Sequence, residues 1–199
     1  MIALKYSDSY AAKMARIKRL PVYYDKAMHG QRKKDGIELI KIFHDGIKEN
    51  ELYLNALAEK TIKGKLKKGY ERPGSPLYGK GDKEHKKSYS NMLRLGKLRN
   101  GWKVFASWGM HWSGKIKLRD LLKIHEEGAT IKRGEGLIKI PPRPAFWRSY
   151  RKLMDKIQTD QKEQSKEVKS AINEYINKGE LTRFNKMMKY ENESMDKEE

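Results

Sequence analysis

The sequence predicts an α+β fold: a small antiparallel sheet packed with N-terminal helices and a long C-terminal helix, with extensions at both ends. Two patterns carry this. Apolar residues recur three and four apart in 31–50 and again in 145–176, and apolar and polar residues alternate over 102–108. A proline block at 141–144 separates the strand region from the last long helix. At 199 residues the chain is one domain with extensions, or at most two small domains. Only 37% of residues are hydrophobic and 36% are charged, so the core is modest and some apolar faces are expected to be covered by other subunits.

The formal net charge of +19 favours an acidic partner: nucleic acid, anionic lipid or an acidic protein surface. Liberal use of lysine on solvated faces is the plainer explanation. Cysteine is absent, which excludes disulfides and cysteine-based metal sites. No apolar run reaches the roughly 18 residues of a membrane span, and residues 1–20 lack a secretory apolar region.

Residues 1–30 are expected to form an arm that docks on a neighbour. Tyr6, Tyr10, Met14 and Ile17 fall three or four apart, the spacing of a short amphipathic helix, and Tyr23-Tyr24 follow Pro21. A first confident helix is predicted from about Gln31 to Asn50, with Ile37, Ile40, Phe43 (or His44) and Ile47 on one face and the lysines mostly elsewhere. Gly36 and Gly46 each weaken it by about 1 kcal/mol against alanine, so packing must hold it. His44 reads as a histidine at the edge of the core. A second helix is expected over Glu51 to Lys63.

Residues 63–90 read as a long basic loop punctuated by glycine and proline, with Ser75-Pro76-Leu77 as its apolar anchor. Lys63, Lys65, Lys67, Lys68, Arg72 and Lys80 are its candidate DNA-facing cations. Gly79-Lys80-Gly81 lacks the spacing and strand–turn–helix setting of a phosphate loop. A helical turn is expected over Met92 to Gly101, then the strand Trp102 to Trp108 and a hairpin tip or strand edge at Met110 to Ser113. His111 has no partner at ligand spacing.

The stretch from Leu118 to Tyr150 is the most informative. Leu118, Leu121, Leu122 and Ile124 define a short amphipathic helix ending in His125-Glu126-Glu127-Gly128. A turn at Gly134 and Gly136 leads to the extended run Leu137 to Ile140. Pro141, Pro142 and Pro144 then stiffen the chain, and Arg143 is expected to project from the block. Pro144 suits a helix start. Gly128 is expected to adopt a backbone conformation that other residues resist. The helix after it carries Phe146, Tyr150, Leu153 and Ile157, then Val168, Ala171, Ile172, Tyr175 and Ile176. The polar stretch 158–167 leaves one helix or two open. Gly179 reads as a C-terminal cap, with a last helix at Leu181 to Tyr190 and an acidic tail at 191–199.

Two phrases in this stretch, His125-Glu126-Glu127-Gly128-Ala129-Thr130-Ile131 and Ile140-Pro141-Pro142-Arg143-Pro144-Ala145-Phe146, resemble the signature of the phage virion morphogenesis family, the Mu-like tail completion and neck proteins. Thr61-Ile62-Lys63 and Leu98-Arg99-Asn100 add to the likeness, which covers about residues 31–157. It implies a structural subunit of a bacteriophage neck, a head–tail connector forming a ring around the DNA channel. Implied partners are copies of itself in a hexamer or dodecamer, portal or adaptor proteins, tail terminator or tail tube proteins, and channel DNA bound without sequence preference. The implied location is the virion, with the host cytoplasm during assembly.

The resemblance implies no membrane, no cofactor and no enzymatic activity. The residues themselves show no paired carboxylates in an apolar setting, no nucleophile elbow and no HExxH. Arg143, Phe146, Trp147 and Tyr150 are the candidate interface residues. Arg143 is expected to pair with a carboxylate of the next subunit, or else locally with Glu126 or Glu127. The alternative reading is a basic nucleic-acid-binding protein, with aromatics Tyr70, Tyr78, Trp108 and Trp112 interleaved among the cations. The domain reading is an arm at 1–30, a core at 31–157, a helical extension at 158–190 and the tail.

Overall fold

A computed structural model describes residues 8–52, 54, 56–77, 79, 87–99, 101–133 and 136–192. The fold is α+β: a long N-terminal helix and a long C-terminal helix with two small antiparallel two-stranded sheets. The elements run α1 (Asp8–Lys48), α2 (Glu59–Lys67), β1 (Leu93–Leu98), β2 (Gly101–Ala106), α3 (Leu118–Glu127), β3 (Ala129–Arg133), β4 (Gly136–Ile140), α4 (Ala145–Lys178) and α5 (Thr182–Asn192). The single sheet expected from the sequence is thus two separate hairpins, β1–β2 and β3–β4.

The chain divides into two compact units. Unit 1 comprises Met1–Asp35, Leu98–Trp102 and Lys156–Glu199; unit 2 comprises Gly36–Lys97 and Lys103–Asp155.

In unit 1, Ala27 of α1, Ala171 and Tyr175 of α4 and Phe184 of α5 form a buried cluster, with Leu20, Tyr23 and Met187 packed on it. Tyr23 meets Tyr175 edge-on at 5.0 Å. This packing explains the first departure from the sequence reading. Helix α1 starts at Asp8, not near Gln31, and continues for 41 residues with Pro21 inside it. Proline removes one backbone donor and costs an isolated helix about 3 kcal/mol. Burial of Leu20, Tyr23 and Ala27 on either side of it offsets that cost. Lys33, expected on a solvated face, is buried with its ammonium 5.2 Å from the Trp102 ring, and Trp102 Nε1 donates to His29 Nδ1 at 3.2 Å.

Helix α4 is one helix of 34 residues. It contains no glycine or proline, and its polar middle is rich in Gln, Glu and Lys, which are strong helix formers. Gly179 ends it at φ +78°, as expected, with its N–H on the Tyr175 carbonyl. A side chain from α1 completes the end: Arg16 donates to the Ile176 carbonyl at 3.0 Å, placing a cation at the negative pole of the helix.

In unit 2, Phe43 and Ile47 of α1, Leu52, Leu77, Tyr89, Met92, Leu93, Leu118 and Ala145 are the centre of the core. The predicted second helix over 51–63 is displaced. Asn50 takes φ +59° and Glu51 N–H returns to the Gly46 carbonyl, a Schellman-type ending that turns the chain out of the helix. Leu52 and Leu54 are buried as irregular chain, and α2 begins only at Glu59. Gly46 is needed for this turn, because a Cβ there would lie 2.7 Å from Leu52 Cγ. Gly36 does the same for Leu95, whose Cδ1 would be 2.5 Å from an added Cβ.

The segment expected as a helical turn, 92–101, contains strand β1. Leu93 and Leu95 are buried while Arg94 between them is exposed, a period-two pattern. Within the predicted loop 63–90, α2 extends to Lys67 and Leu77 reaches the core, while Ser75 Oγ donates to the Ile47 carbonyl at 2.7 Å.

Candidate interface site

The stretch 118–150 builds a clamp between the end of α3 and the start of α4. Helix α3 leaves through Gly128, at φ +80° and ψ 170°, a region open essentially to glycine alone. A Cβ there would sit 2.9 Å from the Ile140 carbonyl oxygen and 3.1 Å from Pro142 Cδ. The hairpin β3–β4 runs out and back in register, Ala129 opposite Ile140 and Arg133 opposite Gly136, which returns Pro142 onto Gly128. The Arg143 N–H then donates to the His125 carbonyl.

Glu126 closes the clamp. Its carboxylate accepts the Phe146 N–H at 2.7 Å and the Trp147 N–H at 3.3 Å, capping the first turn of α4 from some twenty residues upstream. Burial pushes the Glu126 carboxyl up from its ordinary value, and the backbone donors Phe146, Trp147 and Ala145 pull it back. Pro144 stands just before the helix rather than within its first turn, and its carbonyl accepts the Arg148 N–H at 3.0 Å. Replacing Glu126 with alanine is expected to cost about 1 to 2 kcal/mol. Amide exchange would then accelerate at Phe146 and Trp147. Unchanged protection at both would contradict the capping role.

Under the clamp lies a buried polar group. His125 meets Tyr89 edge-on at 4.9 Å, and neither His125 Nδ1 nor the Tyr89 hydroxyl has a hydrogen-bond partner among the described residues. Burial, with the Arg143 guanidinium as the second cause, lowers the His125 pKa to about 4. Burial and the Glu126 charge raise the Tyr89 phenol well above its usual value. Burial also lowers Arg143.

The expected site residues divide accordingly. Arg143 does not project: the residue is 9% exposed, its backbone N–H is on the His125 carbonyl, and its guanidinium is near enough to act on the His125 ring. Phe146 is half-buried against the unit 2 core. Trp147 and Tyr150 are exposed, stacked at 5.6 Å and 22°, with the Arg151 guanidinium 5.6 Å from the Trp147 ring. Gly128 takes the special conformation expected of it, and Pro141 and Pro142 form the extended return.

The basic loop is less uniform than its sequence. Lys63, Lys67 and Lys68 are exposed, Lys63 with Glu59 at 3.9 Å. Lys65 donates to the Ser75 carbonyl at 2.7 Å and lies 5.4 Å from the Tyr70 ring, so it staples the loop. Arg72 is engaged on both oxygens of Glu49 at 2.9 and 3.1 Å. Lys80, Tyr78, Tyr6 and 193–199 of the acidic tail lie outside the described residues.

Sequence reasoning missed Glu126 as a cap. Its signal is not local, since the helix it caps starts nineteen positions later. Among the described residues, no group of three His, Cys, Asp or Glu could hold a metal ion, and no helix is long and apolar enough to cross a membrane. No family model, no curated protein and no solved structure matches this chain.

Proposed function

We propose that this chain is a structural subunit of a bacteriophage neck, a head–tail connector or tail completion protein that forms a ring around the DNA channel. The observation that carries this reading is the clamp. The two phrases on which the family resemblance rests are the two halves of one contact, joined by Arg143 to His125, Glu126 to Phe146 and Trp147, and Pro142 to Gly128. Their spacing therefore has a physical purpose: it fixes how α4 leaves α3. The exposed Trp147–Tyr150 stack with Arg151 lies on the first turns of the helix so fixed. Aromatics and arginine of this kind are the residues that anchor subunit interfaces.

In this reading a copy of the chain covers that patch through a heterologous contact that closes by rotation. Portal or adaptor proteins and tail proteins are the neighbours on either side, and Lys63, Lys67 and Lys68 face channel DNA. Trp147→Glu tests the contact, since an exposed tryptophan can be replaced without loss of the fold. The native chain is expected at a discrete multiple of its subunit mass in light scattering, and Trp147→Glu at the subunit mass with unchanged circular dichroism. A native chain that stays monomeric at every concentration, or a variant that assembles like the native chain, would contradict it.

A further inference from the structure

We infer that the loop from Trp108 to Lys117, together with Arg119, is a binding platform for single-stranded nucleic acid. The inference does not rest on the ring reading; it stands on this loop alone. Trp108 is 72% exposed and Trp112 43%, a large indole surface left in solvent. Each ring has a cationic or titratable neighbour at stacking distance. The Arg119 guanidinium lies 5.0 Å from the Trp108 ring centre, and the His111 ring lies 5.4 Å from that of Trp112. Lys115 and Lys117 are exposed on the loop itself.

The loop is held by its own backbone. His111 N–H donates to the Ile116 carbonyl at 2.8 Å, Gly114 N–H to the His111 carbonyl at 2.8 Å and Leu118 N–H to the Gly109 carbonyl at 3.0 Å. Met110 and Lys117 form an antiparallel bridge, and Gly114 turns the tip at φ +70°. The Trp112 N–H is tied to the Lys87 carbonyl at 3.0 Å. These bonds brace the loop that carries Trp112, and Trp108 stands at its base beside the closing bond at Gly109, so little ordering cost remains for a base that stacks on either indole.

Charge decides the class of occupant. Residues 108–120 hold three basic side chains, Lys115, Lys117 and Arg119, against one acid, Asp120, which lies 3.8 Å from Arg119. An apolar protein partner needs no such excess of cations, whereas a polyanion does. Open aromatic faces flanked by cations select a polyanion with accessible π-faces. In a duplex the bases are stacked on one another, so the match is a single strand.

The test is fluorescence anisotropy of a labelled oligothymidylate with the full-length chain, its Trp108→Ala and Trp112→Ala variants, and a duplex of the same length. Both tryptophans are exposed, so the variants are expected to keep the native circular dichroism. Each substitution is expected to weaken oligothymidylate binding about tenfold while leaving duplex binding unchanged. Oligothymidylate affinity untouched by either tryptophan variant, or no affinity in the native chain, would overturn the inference. So would tryptophan variants that lower self-association in light scattering while nucleic-acid affinity stays constant, which would assign the surface to a protein neighbour.

Discussion

Gly128→Ala is expected to destabilise unit 2 by about 3 kcal/mol or more, the sum of a backbone penalty and a steric one. The backbone at φ +80° and ψ 170° is strained for any L side chain, and the added methyl would press within 2.9 Å of the Ile140 carbonyl and 3.1 Å of Pro142. Neither neighbour is free to yield. Ile140 is held in the β3–β4 register, and Pro142 precedes the residue bonded to His125. Gly69→Ala is the matching control. It has φ +68° but nothing among the described residues within 4 Å, so only the backbone penalty of about 1 kcal/mol remains. Urea unfolding of both variants measures the difference. Equal losses would mean that the return of the hairpin onto Gly128 is not tight.

The second large effect is on pH. His125 is held neutral in the folded chain, with its pKa lowered from 6.5 to about 4 by burial and then by Arg143. Between these two values the unfolded chain binds the proton and the folded chain does not, so stability rises with pH across that window. It is fully present above pH 6.5 and is lost as pH falls toward 4. The difference between the two values corresponds to about 3 kcal/mol. Glu126 acts in the opposite sense, because its raised carboxyl binds a proton more readily when folded. The two are separated by His125→Phe, which keeps a ring against Tyr89 but cannot titrate. Urea titrations through this pH range should show the native chain gaining stability and the variant gaining far less. Identical slopes would contradict a buried neutral His125.

Much of the 118–150 region was legible from local pattern, because its structure is decided locally. The α3 periodicity, Gly128 at its end and the proline block each act within a few residues. The same holds for the end of α4 at Gly179. What the pattern hid was decided at a distance. Arg143 reads as exposed on a stiff block but is buried where the chain returns to His125, and Arg72 reads as a free cation until Glu49 is found opposite it.

Strand β1 was missed although its signal stood in the sequence. Leu93 and Leu95 flank Arg94 as Trp102 and Val104 flank Lys103, and two such alternating runs with a glycine-containing break between them read as a hairpin. The first glycines of the core read as helix-weakening when their role is to admit Leu95 and Leu52. Residues 1–30 read as an arm rather than as the start of α1, because the cluster that holds this part of the helix comes from α4 and α5.

The proposed place of this chain in a virion is tested most directly by electron microscopy of intact particles carrying a labelled copy of it. The account predicts label confined to the junction between head and tail, repeated around the axis as a closed ring requires. Label spread over the capsid, along the tail, or absent from assembled particles would contradict it.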